Sequence, residues 1–321
     1  MALSILNASY SVFSYAAKRY AGIHTDPPLP PAISVELSSV CNLRCPECVT
    51  GTGLTRRSNS FMSYDLVREI ASQFRGRAMS AWLSFQGEPM LYPEFFRVTE
   101  LFRGMNPVIS TNGHYLDREN CIRLADSSLK KVIISLDGIT PETYNIYRRG
   151  GDHQLVMEGI RRLAATIRER KSKLKIVLQF LVHRGNEHEA VAVAAFAREE
   201  GAQFRIKSMQ VLDLARAGEW IPSDPARSRY MKGDDGTWHS AGSPAKGCFR
   251  MWTSAVITTD GDVVPCCYDK NGLHVMGNLI DQSFPEIWRG GRYVSFREKV
   301  MLRRSMVDIC SNCPEGRRLF F

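Results

Sequence analysis

Between residues 33 and 208, short apolar runs rich in β-branched and aromatic residues alternate with helical patterns, and this alternation restricts the fold more than any other feature of the chain. The runs Ile33 to Leu37, Trp82 to Phe85, Pro107 to Thr111, Lys131 to Leu136, Leu174 to Val182 and Phe204 to Ser208 read as strands. Tyr64 to Phe74, Pro93 to Phe102, Pro141 to Tyr147, Leu155 to Arg168 and Glu187 to Glu200 carry apolar residues at helical spacing. Strands joined through helices run parallel, with the helices covering the sheet, so the class is α/β. Six such units are too few for the closed eight-stranded barrel. In parallel sheets ligands gather at the carboxyl ends of the strands, where the βα loops converge.

The loop after the first strand reads Val40-Cys41-Asn42-Leu43-Arg44-Cys45-Pro46-Glu47-Cys48. Three thiolates so close together can hold three irons of a cubane cluster and leave the fourth open to a small molecule. Half a zinc site, or three small core residues, is the alternative, although zinc takes four ligands, usually as two close pairs. The spacing, placed after a first strand, resembles the radical S-adenosylmethionine (radical SAM) superfamily. That resemblance implies an open, partial (β/α)6 TIM-like barrel over residues 33–212. It implies that the open iron of a 4Fe-4S cluster binds the amino and carboxylate groups of S-adenosylmethionine. One electron then cleaves the cofactor to a 5′-deoxyadenosyl radical, which takes a hydrogen atom from a substrate. Glu47 stands where many members carry an aromatic residue against the adenine.

Three further segments fall at successive strand ends. Phe85-Gln86-Gly87-Glu88-Pro89 resembles the family's Gly-Glu-Pro motif, with Gln86 in place of a glycine. The resemblance gives Gly87, Glu88 and Pro89 to the methionyl amine, whose N–H groups a carboxylate and carbonyls can accept. Ser110-Thr111-Asn112-Gly113 offers hydroxyl and amide groups suited to ribose or carboxylate, and Ser135-Leu136-Asp137-Gly138 matches the family near the ribose. Arg148 is a candidate for the cofactor carboxylate or the substrate, with a helix C-cap as the other reading. Gln179 and Lys207, on the fifth and sixth strands, are either mouth residues or barrel filling.

Residues 213–247 are rich in Gly, Ser, Asp and Pro and read as a linker with little structure of its own. Beyond it lie Cys248, Cys266-Cys267, and Cys310 with Cys313. Asp260-Gly261 between Ser254 to Thr258 and Val263-Val264 predicts a hairpin, which sets Cys248 and Cys266 near its outer ends for Cys310 and Cys313 to complete a four-thiolate site. The segment 248–321 resembles the SPASM or Twitch extension of radical SAM enzymes, a small cysteine-rich domain with a β-hairpin and helix. Seventeen residues separate the first two ligands and two the last pair, close to the Twitch form of the aminocyclitol (2-deoxy-scyllo-inosamine) dehydrogenases. The resemblance implies one auxiliary 4Fe-4S cluster; a structural zinc site uses the same ligand types. Cys121 reads as core, while Cys267 is an alternative ligand or an active-site residue.

The chain has 321 residues, 44% hydrophobic, enough for one large and one small domain. It holds no stretch approaching the roughly 18 apolar residues of a membrane span. Nine cysteines, an odd number in close groups, suit metal ligands and a reducing cytoplasm better than disulfides. In the first 32 residues Leu3, Leu6, Tyr10, Phe13, Ala17 and Tyr20 recur at helical steps, predicting an amphipathic helix packed on the main body, with a membrane-surface or partner contact as the alternative. Pro27, Pro28, Pro30 and Pro31 follow as a stiff connector. The net charge of +9 is spread over doublets such as Arg56-Arg57, Arg148-Arg149 and Arg303-Arg304, read as solvated faces, with no nucleic-acid signature among them.

Taken with the family, these residues predict oxidation of a small molecule, a sugar or cyclitol alcohol, using the auxiliary cluster as electron acceptor and an external one-electron donor such as flavodoxin or ferredoxin. Asp269, then Tyr268 and Arg148, are candidates for the base. The alternatives are a maturase of a ribosomal peptide, disfavoured by the short segment ahead of Cys41, and a non-catalytic iron-sulfur scaffold or electron carrier, which would not need Gly-Glu-Pro.

Overall fold

The computed structural model describes residues 2–241, 247–311 and 313. Strands β1 (Ala32–Val35), β2 (Ser80–Trp82), β3 (Pro107–Thr111), β4 (Lys131–Ser135), β5 (Lys175–Val182) and β6 (Gln203–Ser208) are the six foreseen, most with shifted or shorter ends. Five more follow: β7 (Tyr230–Lys232), β8 (Trp238–Ser240), β9 (Ser254–Ile257), β10 (Asp262–Val264) and β11 (Gly277–Asn278). The helices α1 (Ala2–Ala16), α2 (Tyr64–Phe74), α3 (Phe95–Leu101), α4 (Arg118–Asp126), α5 (Pro141–Tyr147), α6 (His153–Glu169) and α7 (Ala190–Glu199) alternate with β1 to β6 from α2 onward. Their starts are set locally. Ser63, Asp117, Thr140 and Asp152 each accept a first-turn N–H from a β-region backbone, and Pro141 occupies the opening position of α5. No described helix is long and apolar enough to cross a membrane.

The chain packs as two compact units, neither continuous in sequence. One takes its described residues from 1–40, 55–108 and 244–316, the other from 41–54 and 109–243. In the first, β1 lies parallel to β2 on one side and to β9 on the other, with Ile33 opposite both Ala81 and Ala255. β9 and β10 form the hairpin expected around Gly261, whose φ of 84° is the left-handed conformation glycine adopts freely. The C-terminal cysteine segment is therefore joined to β1 by a strand ladder within one unit. In the second unit β4, β5 and β6 pair in parallel, Ile134 opposite Leu178 and Leu178 opposite Phe204. Near-continuous burial of β4 fits a strand covered on both faces.

Two expectations fail here. The helix α1 does form, but it is turned over: Ser4, Ser11 and Ser14 are buried while Leu3, Leu6, Tyr10, Phe13 and Tyr20 are exposed. It is held by Asn7, whose Nδ2 donates to the carbonyls of Leu29 and Arg77, by Tyr15, edge-on to Phe249 and Trp252, and, just past the helix, by Lys18 paired to Glu298. The docked face is thus the one that carries buried serines, which a periodicity argument does not register. Residues 213–241 likewise are no bare linker. A helical turn at Ala217–Trp220 and the β7–β8 hairpin bury Trp220 and Tyr230 in the same apolar cluster as Leu43, Cys45, Tyr147, Met209 and Val211. The Tyr230 hydroxyl accepts the Val211 N–H at 2.9 Å, so this segment packs onto the cysteine loop.

Candidate functional site

Cys41, Cys45 and Cys48 belong to the second unit, and its hydrogen bonds shape their loop. Arg44 N–H donates to the Arg149 carbonyl at 2.8 Å, and Cys48 N–H to the Cys45 carbonyl at 3.3 Å. A Cβ on Gly51 would stand 2.5 Å from Cys45 N, so only glycine lets the chain fold back there. N–H groups reach the sulfurs: Leu43 N lies 3.5 Å and Asn112 Nδ2 4.0 Å from Cys41 Sγ, and Arg148 Nη1 lies 3.9 Å from Cys45 Sγ. Burial pushes the Cys45 thiol up to about 11 against the pull of Arg148; a buried thiol becomes a thiolate by taking a metal.

Asp137 and Arg148, expected to meet the cofactor, form a buried ion pair, Arg148 Nε to Asp137 Oδ2 at 2.6 Å, and Asp137 Oδ1 accepts the Leu181 N–H at 2.7 Å. Asn112 is held by a residue the sequence did not single out. His114 accepts the Asp152 N–H at Nε2 at 2.8 Å, which leaves its proton on Nδ1 to donate to Asn112 Oδ1 at 2.9 Å. Asn112 Nδ2 in turn donates to Asn42 Oδ1 at 2.7 Å, running from the end of β3 to the cysteine loop. Glu47, buried, accepts the Leu212 N–H at 2.6 Å, and desolvation raises its pKa. Ser135 is buried, Ser110 and Gln179 are half-buried, and Lys207 is exposed.

Gly87, Glu88 and Pro89 lie in the first unit. Gly87 has φ of 66°, and a Cβ there would fall 2.4 Å from the Ser38 carbonyl oxygen, so the loop presses on the segment that runs into Cys41. Glu88 N–H donates to Val40 O at 2.8 Å, and its carboxylate caps Pro89–Leu91 through Met90 N–H. Beneath lies a second buried ion pair that sequence reasoning missed: Arg57 donates twice to Glu36, at 2.5 and 2.7 Å. Glu36 also accepts the N–H groups of Gln86 and Thr259, tying β1, the Gly87 loop and the β9 end together. The signal was a carboxylate inside an apolar strand.

The auxiliary cysteines Cys248, Cys266, Cys310 and Cys313 are all in the first unit, buried or half-buried. Burial raises the Cys266 thiol, with Cys267, Cys313 and Cys248 adding to the rise, and the Cys310 thiol goes up to about 11. Among the described residues no three His, Cys, Asp or Glu side chains converge tightly on a single ion; a cubane, which spaces its thiolates around a larger body, does not require that. Arg304 donates to Cys313 Sγ at 3.3 Å, and its Nε is buried without a partner. An orphaned N–H on a side chain that acts on Cys248, Cys310 and Cys313 fits a sulfide-rich group, and the Cys41 loop with its three N–H donors fits another. Asp269 is buried and holds the Leu273 and His274 N–H groups at 2.8 Å each, so both carboxylate oxygens close a turn. Tyr268 and Cys267 are half-buried, and Cys121 is core.

Residues 35–197 match the model of the radical SAM superfamily. The chain belongs to that superfamily. Residues 248–314 match SPASM, an iron-sulfur cluster-binding domain. This radical SAM enzyme thus takes a 4Fe-4S cluster, an auxiliary iron-sulfur cluster and S-adenosylmethionine. It is 25% identical to a GTP 3′,8-cyclase of Hydrogenovibrio crunogenus over 67% of this chain and 70% of that one. It is 25% identical to the mycofactocin maturase MftC of Mycobacterium ulcerans, over 81% and 74%. The S-adenosyl-L-methionine-dependent 2-deoxy-scyllo-inosamine dehydrogenase of Niallia circulans is also 25% identical, over 88% and 91%. The fold is that of Streptococcus suis SuiB bound to S-adenosylmethionine, with a TM-score of 0.65 at 14% identity, covering 90% of this chain and 72% of that one.

Proposed function

We propose that this radical SAM enzyme oxidises an alcohol carbon of a small molecule, a sugar or cyclitol, to a carbonyl. One observation carries the reading: similarity to the dehydrogenase runs through 88% of this chain and 91% of that protein. When bound, the clusters and S-adenosylmethionine supply a 5′-deoxyadenosyl radical and a one-electron acceptor. The substrate carbon gives up a hydrogen atom, then a proton and an electron, and retains its oxygen. Gly87, Glu88 and Pro89 are assigned to the methionyl amine, and Ser110, Asn112 and Ser135 to the ribose and carboxylate. Asp137 and Arg148 fix the loop beside Cys45, and the β7–β8 segment shields that loop from water. Asp269 is read as a turn residue rather than the base. The first electron is assigned to an external donor such as flavodoxin or ferredoxin, in the reducing cytoplasm.

A second reading, modification of a peptide, draws on the similarity to the maturase MftC. Deuterium separates the two. Reduced enzyme is given pools of deuterated polyols and aminocyclitols, or candidate precursor peptides, and 5′-deoxyadenosine is analysed by mass. Label from a carbinol C–D with formation of the ketone supports alcohol oxidation; label only from peptide overturns it.

A further inference from the structure

Arg304 follows directly on the helix Gly291–Arg303 and is 3% exposed. Its Nη2 donates to Cys313 Sγ at 3.3 Å, its Nη1 to the carbonyl of Gly247, next to Cys248, also at 3.3 Å, and its Nε is buried with no partner. Its charge acts on Cys248, Cys313 and Cys310 together. The half-buried members of two other arginine doublets differ from it. Arg57 faces Glu36 and Arg148 faces Asp137, so each brings its own neutralising carboxylate. No carboxylate pairs with Arg304 among the described residues. A guanidinium stays charged in any protein, and a buried charge without a counter-charge is destabilising by several kcal/mol. Among the described residues, the anionic partners at hand are the thiolates of the auxiliary site and whatever they bind.

We infer that Arg304 sets the reduction potential of the auxiliary cluster, its buried charge and free Nε–H favouring the form that carries one more electron. Hydrogen bonds to cluster sulfurs and local net charge are the protein's main means of tuning such a potential. The step adds one electron and makes or breaks no bond. In catalysis that electron comes from the substrate radical, a use that rests on the proposed oxidation; in the test it comes from dithionite, so the two ideas fail separately.

The protein for the test is the full chain with Cys41, Cys45 and Cys48 replaced by alanine and reconstituted anaerobically, so that only the auxiliary cluster remains. Its potential is read by redox titration with electron paramagnetic resonance, beside iron and sulfide analysis. Arg304→Met is expected to lower the equilibrium constant for reduction about tenfold or more, ~59 mV for a one-electron couple, while Arg304→Lys stays closer to the parent. Where Arg304→Met does not hold its iron, Arg304→Gln is read in its place. A neutral variant with full iron and an unchanged potential overturns the inference. So does loss of iron from both neutral variants while Arg304→Lys keeps iron and potential, because the charge would then serve assembly alone.

Discussion

His183 shows how burial turns one side chain into a pH-dependent element of stability. It lies between Tyr147 and Trp220, its Nδ1 accepts the Gly185 N–H, and Nε2 has no partner. Desolvation pushes the imidazole down to about 4, with Asp137 and Glu187 pulling up and Arg148 pushing down. The unfolded chain titrates this group near ~6.5. Between those values the unfolded state binds a proton that the folded state refuses, so stability is whole above the window and falls as pH drops through it. The expected loss at pH 5 is about 2 kcal/mol, and His183→Phe should remove that part of the slope. Urea midpoints of parent and variant at pH 7 and pH 5 check it, and equal slopes would assign the acid sensitivity elsewhere. The arginine doublets carry a second lesson at this scale. Arg57, Arg148 and Arg304 are buried or nearly so while Arg56, Arg149 and Arg303 are exposed. Neighbours of one charge have opposite fates because each needs a specific partner, Glu36, Asp137 or thiolates, that lies far away in the sequence.

Among the elements, α1 most clearly separates what a pattern fixes from what packing fixes. Its apolar stripe at helical spacing establishes a helix, and a helix of that period has one apolar face. Which face docks depends on the surface offered, here Phe249 and Trp252 against Tyr15, with Ser11 and Ser14 on the buried side. Leu6→Ser and Phe13→Ser should therefore shift thermal stability by no more than about 0.5 kcal/mol, whereas Tyr15→Ala should cost about 1–2 kcal/mol. Melting curves of the three variants decide it, and the reverse order would mean that the stripe is the docked face. The segment 213–241 failed for the complementary reason. Its polar composition and glycines speak for a loop, but Trp220, Tyr230 and Trp238 are large apolar residues that a solvated linker would not keep, and they pack beside Cys45.

For the whole molecule, two clusters make a countable prediction. About eight irons per chain are expected after anaerobic reconstitution, falling to about four when Cys41, Cys45 and Cys48 become alanine, with 5′-deoxyadenosine formation lost. Four irons and one zinc in the parent would make the C-terminal site structural and remove the electron acceptor from the proposed oxidation. The radical SAM and SPASM segments and the six strands were readable because each signal is local: a period of two or 3.6, or cysteines at fixed spacing within one loop. Tertiary structure decided what depends on partners distant in the chain. It joined β9 to β1, buried Glu36 under Arg57, turned α1 serine side inward, folded 213–241 onto the cysteine loop and set Arg304 among the thiols. The physical reason is common to them all. A sequence window states which groups must be satisfied, while the group that satisfies each is chosen by which surfaces meet when the chain closes.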